Sequence, residues 1–161
     1  MLAEWIDRLI TRHHGRGLIL HASPLLLLLV GRYDSRLLKP GRRTSPCTVD
    51  HFEILQQIQL RLGPTATTPS VVTEALHHAE EFGIGVMEEA SFTLSSLAEI
   101  YEPSLNFATE TRFPDLGLAD ASILQLARER RGLVATDDKR LRAALYSIGI
   151  ESVAPAKFFD N

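Results

Sequence analysis

The sequence predicts a single α/β domain built on a largely parallel sheet, and three observations carry that prediction. Leu18-Ile19-Leu20 and Leu133-Val134-Ala135 are short apolar runs without alternation, the pattern of central parallel strands covered on both faces. Stretches with helical spacing of apolar residues lie between them. Each run also ends on polar chemistry, His21-Ala22-Ser23-Pro24 in one case and Thr136-Asp137-Asp138 in the other. In open α/β sheets that carboxyl edge is where sites are built.

The 161 residues suffice for one domain with a sizeable core. Hydrophobic residues make up 45% and charged residues 23%, ordinary values for a soluble protein. A net charge of -3 gives no global attraction to nucleic acid, so any such binding needs a local basic patch. The single cysteine, Cys47, excludes an internal disulfide or a cysteine-rich zinc site and fits a reducing compartment. Leu18 to Val30 is strongly apolar but shorter than the roughly 20 residues a membrane span needs. It also lacks a small-residue cleavage site. A cytoplasmic protein with no membrane partner is expected.

In chain order, residues 1 to 14 predict an amphipathic helix, with Trp5, Ile6, Leu9 and Ile10 on one face. Gly15-Arg16-Gly17 ends it, and Leu18-Ile19-Leu20 is the first strand. Ser23 is the expected N-cap of a helix that uses Pro24 in its first turn, buries Leu25 to Val30 and closes at Gly31. Tyr33 to Cys47 is a polar connection carrying Arg36, Lys39, Arg42 and Arg43. Thr48 opens the next helix, with Phe52, Leu55, Ile58 and Leu62 as its stripe and Gly63-Pro64 as its stop.

Ala66-Thr67-Thr68 is a weak strand, and Pro69 starts a helix with Val71, Val72, Ala75 and Leu76 as core candidates. Glu74 lies among these apolar neighbours, where burying an unpaired carboxylate is costly, so a ligand role is in view. His77 and His78 have no metal-binding spacing and are assigned to the surface. A further helix is expected over residues 91–100, followed by an irregular stretch to Pro114. Asp120 is placed where the next helix begins, since Ile123, Leu124, Leu126 and Ala127 follow at helical spacing. After the acidic strand end come a short helix on Leu141, Ala144 and Leu145, and a last strand over residues 150–153. Asp120 as a first-turn acid and Asp137 as an N-cap are the ordinary structural readings of those two carboxylates.

Three separated stretches together resemble the PIN domain family of metal-dependent nucleases. They are Leu18-Ile19-Leu20-His21-Ala22-Ser23-Pro24-Leu25, Thr68-Pro69-Ser70-Val71-Val72-Thr73-Glu74, and Leu118-Ala119-Asp120-Ala121-Ser122-Ile123 through Ala135-Thr136-Asp137-Asp138. The resemblance runs from about residue 17 to the end, which makes residues 1–16 a helical extension of one PIN-like domain. It implies a three-layer α/β/α sandwich with an acidic pocket at the carboxyl edge, holding one or two Mg2+ or Mn2+ ions. Members typically cut RNA, and many are toxins of toxin-antitoxin pairs. By position, Glu74, Asp120 and Asp138 match the acidic ligands, with Asp137 adjacent to the last. Thr136 matches the polar residue two before the final acid, and Ser23 the one two after the first acid. The departure is His21, which stands where the family pattern has aspartate.

A divalent ion suits phosphodiester hydrolysis because it activates water and offsets charge on the phosphoryl oxygens. Magnesium wants hard oxygen ligands, whereas neutral imidazole suits manganese, nickel or zinc. Three readings of His21 follow. The remaining acids hold a metal and cut weakly; the site is inert and the fold binds RNA or a protein; or His21 is itself an acid–base group. Candidate backbone contacts are Arg32, Arg36, Lys39, Arg42 and Arg43, and beside the acids Lys139, Arg140 and Arg142. RNA as substrate, an antitoxin-like protein and a second copy of the chain are the candidate partners. A phospho-acceptor receiver domain also gathers acids at a sheet edge, but here the first strand lacks an acidic pair and no lysine closes a late strand.

Overall fold

Among the described residues, five short parallel strands form one sheet in the order β3-β2-β1-β4-β5. They are β1 (Leu18–Leu20), β2 (Thr65–Thr67), β3 (Ala98–Glu99), β4 (Leu133–Ala135) and β5 (Ser152–Val153). The computed structural model describes residues 2–44, 46–109 and 113–160. Leu18, Ile19 and Leu20 pair with Leu133, Val134 and Ala135 on one side, and Leu18 and Ile19 pair with Thr65 and Ala66 on the other. Every residue of β1, β2 and β4 is buried, as expected of strands covered on both faces.

The helices are α1 (Leu2–His13), α2 (Ala22–Asp34), α3 (Val49–Leu62), α4 (Pro69–Ala79), α5 (Ile84–Ser95), α6 (Ser104–Ala108), α7 (Phe113–Leu116), α8 (Leu118–Arg130) and α9 (Lys139–Ser147). They cover both faces of the sheet, giving the three-layer α/β/α sandwich. Strands β1, β2 and β3 progress to one side, and the chain then returns to place β4 and β5 on the other. The boundary between β1 and β4 is therefore the topological switch point, where α/β sheets open a crevice at their carboxyl ends.

Helix α2 is the buried centre. Leu25, Leu26, Leu27, Leu28, Leu29 and Val30 are all at most 2% exposed, so the helix is apolar all round rather than amphipathic. It packs against α3, α4 and α5. The expected stop at Gly31 is wrong: α2 continues to Asp34. A glycine inside a helix costs about 1 kcal/mol relative to alanine. Here the Phe52 ring lies where a side chain would go, and a Cβ on Gly31 would sit 2.3 Å from it. The glycine lets α2 and α3 approach rather than ending a helix.

Other boundaries also differ. Ser23 is inside α2, and His21 is the N-cap residue, with its carbonyl accepting from Leu25 N–H at 3.0 Å. Asp138 rather than Asp137 caps α9, accepting from Leu141 N–H at 2.8 Å. Helix α8 begins at Leu118 behind Gly117, which leaves Asp120 in the first turn, where a carboxylate complements the helix dipole. Helix α5 starts at Ile84 instead of residue 91, and Ala98–Glu99 is an edge strand, docked by Ile100 N–H on the Thr67 carbonyl at 2.9 Å. A two-residue, half-exposed strand leaves no periodicity to read. The last strand is likewise shorter than expected. No helix among the described residues is long and apolar enough to cross a membrane.

Candidate active site at the carboxyl edge

Leaving β1 and β4 side by side, the chain places His21 next to Thr136. His21 N–H donates to the Ala135 carbonyl at 3.1 Å, continuing the β1–β4 ladder by one bond. The imidazole is buried, with Nδ1 3.0 Å from Thr136 Oγ1. Its Nε2 lies 2.9 Å from Asp120 Oδ1, yet the approach is not aligned as a hydrogen bond and Nε2 has no other partner. An ionised carboxylate only accepts, so a hydrogen bond between these two groups would need the proton on Nε2. Nδ1 can then accept the Thr136 hydroxyl proton. Thr136 is fully buried, and its Oγ1 also accepts Asp138 N–H at 3.1 Å, which fixes the turn between the strand and α9.

Asp137 is held at both oxygens. Ser23 Oγ donates to Oδ2 at 2.6 Å, and Ala156 N–H donates to Oδ1 at 2.9 Å. The residue thereby ties the first turn of α2 to the segment after β5. Asp138 uses Oδ1 as the α9 cap. Glu74, in the second turn of α4, is exposed and has no partner among the described residues, so the burial cost inferred from its apolar neighbours does not arise.

These groups converge on a cavity of about 240 Å3 lined by His21, Ser23, Glu74, Asp137 and Asp138, together with Arg43 and His78. Asp120 is not part of this lining; it meets the site through His21. A second small cavity shares Ser23, Arg43 and Asp137 and reaches Cys47, whose thiol is pushed up to about 12, first by burial and then by the Asp137 charge. No group of three His, Cys, Asp or Glu residues among the described residues is arranged to hold a metal ion. Of the acids on the cavity, Glu74 and Asp138 Oδ2 have no hydrogen bond among the described residues. Glu74 and Asp138 are therefore the residues that could hold a magnesium or manganese ion, with waters as its remaining ligands.

The basic candidates separate by geometry. Arg43 reaches the cavity, with its guanidinium 3.9 Å from Glu81 and its backbone N–H bonded to the same carboxylate at 3.1 Å. Arg42 sits over the Phe82 ring at 5.9 Å. Lys139 is exposed at the start of α9, and Arg140 donates to the Asp115 carbonyl at 2.9 Å. Arg32 turns inward to Gln59 and Thr93, at 2.7 and 3.2 Å, and is a packing residue. Arg36 pairs with Asp34, holding that carboxyl below its usual range, while Lys39 is exposed. Arg142 lines a different cavity, beside Trp5 and β5.

Two residues with a part in the site are not singled out by the sequence. His78 reads as a surface residue, yet it stands one helical turn after Glu74 and joins the same lining. Ser122 contacts Thr68 Oγ1 at 2.7 Å through a buried hydroxyl pair, linking the start of α4, which carries Glu74, to the first turns of α8, which carry Asp120. Its position two residues after Asp120 is the available signal.

The fold and this edge define a three-layer α/β/α protein with an acid-lined pocket at its switch point. No family model matches the chain, and neither a curated protein nor a solved structure shows a significant match to it.

Proposed function

We propose that the chain is a PIN-like, divalent-cation-dependent endoribonuclease whose activity is held low by His21. The observation that carries this reading is the convergence of Glu74, Asp137, Asp138 and His21 on one cavity at the β1–β4 switch point. Glu74 and Asp138 would hold Mg2+ or Mn2+, with Asp120 as the third acid once it is free of His21. The ion would supply water activation and charge neutralisation at the scissile phosphate. Thr136 and Ser23 orient the acidic turn, and Arg42, Arg43, Lys139 and Arg140 would meet the RNA backbone. Cytoplasmic RNA is the substrate, with an antitoxin-like protein and a second copy of the chain as its expected protein partners.

The His21–Asp120 contact also supports a second reading, in which the same fold binds RNA or a protein without cutting. Cleavage of a fluorescent RNA in Mg2+ and in Mn2+, compared for the parent protein, His21→Asp and Glu74→Gln, separates the two. The nuclease reading expects weak cutting by the parent, a gain of roughly a hundredfold with aspartate, and loss with Glu74→Gln, the size typical of one group's contribution to catalysis. No cutting by either the parent or His21→Asp, combined with tight RNA binding, would support the binding module instead.

A further inference from the structure

At the opposite, amino edge of the sheet, three turns meet. Arg12 and His13 end α1, Arg16 precedes β1, Arg131 precedes β4, and Glu151 precedes β5. Together they border a cavity of about 400 Å3. Arg131 has φ 56°, and it is the sole non-glycine residue with positive φ among the described residues. Side chains other than glycine and asparagine rarely take this left-handed position at a helix end. The turn is held there because Gly132 packs on the neighbouring turn: a Cβ at Gly132 would lie 3.0 Å from the Arg16 carbonyl oxygen. The Arg16 and Arg131 turns are therefore fixed against each other.

The charge at this edge is unbalanced. Glu151 accepts from Arg12 Nη2 at 2.6 Å through one oxygen and lies 2.7 Å from His13 Nε2 through the other. That one carboxylate is thereby occupied. The side chains of Arg16 and Arg131 have no hydrogen bond or ion pair among the described residues, and His13, buried beneath them, leaves Nδ1 without a partner. Basic residues often serve helix carboxyl ends, which would account for Arg12 and Arg131 singly. It does not account for Arg16, which lies outside any helix, or for two unpaired guanidiniums bordering one concavity.

We propose that this cavity binds a phosphate monoester, with Arg16 and Arg131 donating to its oxygens and Arg12, steadied by Glu151, as the third cation. Three guanidiniums against one carboxylate leave two positive charges, which match a monoester close to doubly charged at neutral pH better than a singly charged diester. Planar guanidinium forks suit phosphate oxygens. Two sources share this chemistry, a small phosphorylated metabolite and the terminal phosphate of a nucleic acid.

The test is calorimetric titration in chelator, at constant ionic strength, so that its result does not depend on a cation at the acidic pocket. The probes are phenyl phosphate, inorganic phosphate, and a short oligoribonucleotide with either a 5′-phosphate or a 5′-hydroxyl. Arg131→Gly keeps the left-handed backbone while removing the guanidinium, and Arg16→Gln removes the other. Each is expected to weaken phenyl phosphate binding about tenfold, the change for one charge-assisted contact. Tighter binding of the 5′-phosphorylated oligonucleotide than of its hydroxyl twin would assign a nucleic-acid end as the ligand. Binding of phenyl phosphate with no difference between the oligonucleotides would assign a small metabolite. The proposal is overturned if the phosphates bind no better than chloride, or bind both variants as tightly as the parent.

Discussion

Two histidine–carboxylate pairs sit at opposite edges of the sheet, and they are built differently. His13 and Glu151, 2.7 Å apart, make an aligned contact that Arg12 reinforces from the other carboxylate oxygen. This pair clasps the end of α1 to the turn before β5. His21 and Asp120 are nearly as close, at 2.9 Å, but misaligned, and no further cation among the described residues pairs with them. The first pair is stabilised by its surroundings. The second joins two groups that other constraints deliver: His21 by the β1–β4 ladder and Thr136, Asp120 by the first turn of α8. A short distance by itself does not make a clasp.

The largest test of this contrast is His21→Asp. It replaces the group facing Asp120 by a second carboxylate and leaves two mostly buried anions together, so without metal the protein should lose about 3 kcal/mol of stability. Adding Mn2+ or Mg2+ should return about 2.7 kcal/mol when the ion reaches roughly a hundred times its dissociation constant. Urea titrations with and without the ion read both numbers. An unfolding curve that ignores the ion would show that the acids do not form a cation site even when His21 is gone.

Glu151→Gln should have a smaller effect, about 1–2 kcal/mol, because Glu151 is partly in solvent while its bond to buried His13 is not. Chemical denaturation measures it. A loss as large as that of His21→Asp would erase the distinction between the two pairs. Smaller again is Asp138→Ala, which removes the α9 cap and should cost about 1 kcal/mol. Asp138→Asn keeps a good cap, so its stability should stay near that of the parent while any cation-induced rise in melting temperature shrinks. Equal cation responses in the Asp138→Asn variant and the parent would remove Asp138 from the ligand set.

A third histidine sharpens the comparison from outside both pairs. His51 Nδ1 accepts Thr48 N–H at 3.1 Å at the start of α3, and burial holds the ring's pKa below the ordinary imidazole value. Depression of a base means that the fold prefers the neutral ring. The stability contributed is therefore present above about pH 6.5, the unperturbed value, and is lost as pH falls through the lowered one. Protonating Nδ1 would also remove the acceptor for Thr48. His51→Asn should flatten a modest loss of stability between about pH 7 and pH 5, followed by urea midpoints. A slope that persists in His51→Asn would show that His51 is not its source.

Much of this architecture is readable in the sequence because its central strands are buried on both faces. Leu18–Leu20 and Leu133–Ala135 have no polar face and hence no ambiguity about layers. The edge strand β3 escapes because two residues hydrogen-bonded on one side carry no pattern, whereas β5 lies inside the expected 150–153 and is only shorter. Thr48 is legible as the cap of α3, but the caps of α2 and α9 are legible only to within two positions, not by identity. Ser23 and Asp137 both have good cap chemistry, and each is occupied instead by the other across the turn. Local propensity cannot see that partnership, since the two residues are distant in sequence and meet only when β1 and β4 pair. The positions of Glu74, His21, Asp137 and Asp138 at one edge follow from strand ends, which are legible. Where each proton and lone pair goes is a matter of ångström-scale tertiary contact, which no spacing encodes.

The all-round burial of α2 has a consequence during synthesis. A run of five leucines and a valine emerges before any of the helices that enclose it, and α5 is finished only about 60 residues after α2. At typical elongation rates of about 5–20 residues per second, this greasy cylinder waits roughly 3–12 s without its final neighbours. Over that interval the growing chain presents a sticky segment to whatever is near the ribosome. Slower translation between α2 and α5 should therefore lower the yield of soluble protein, while the finished molecule keeps no trace of the hazard on its surface.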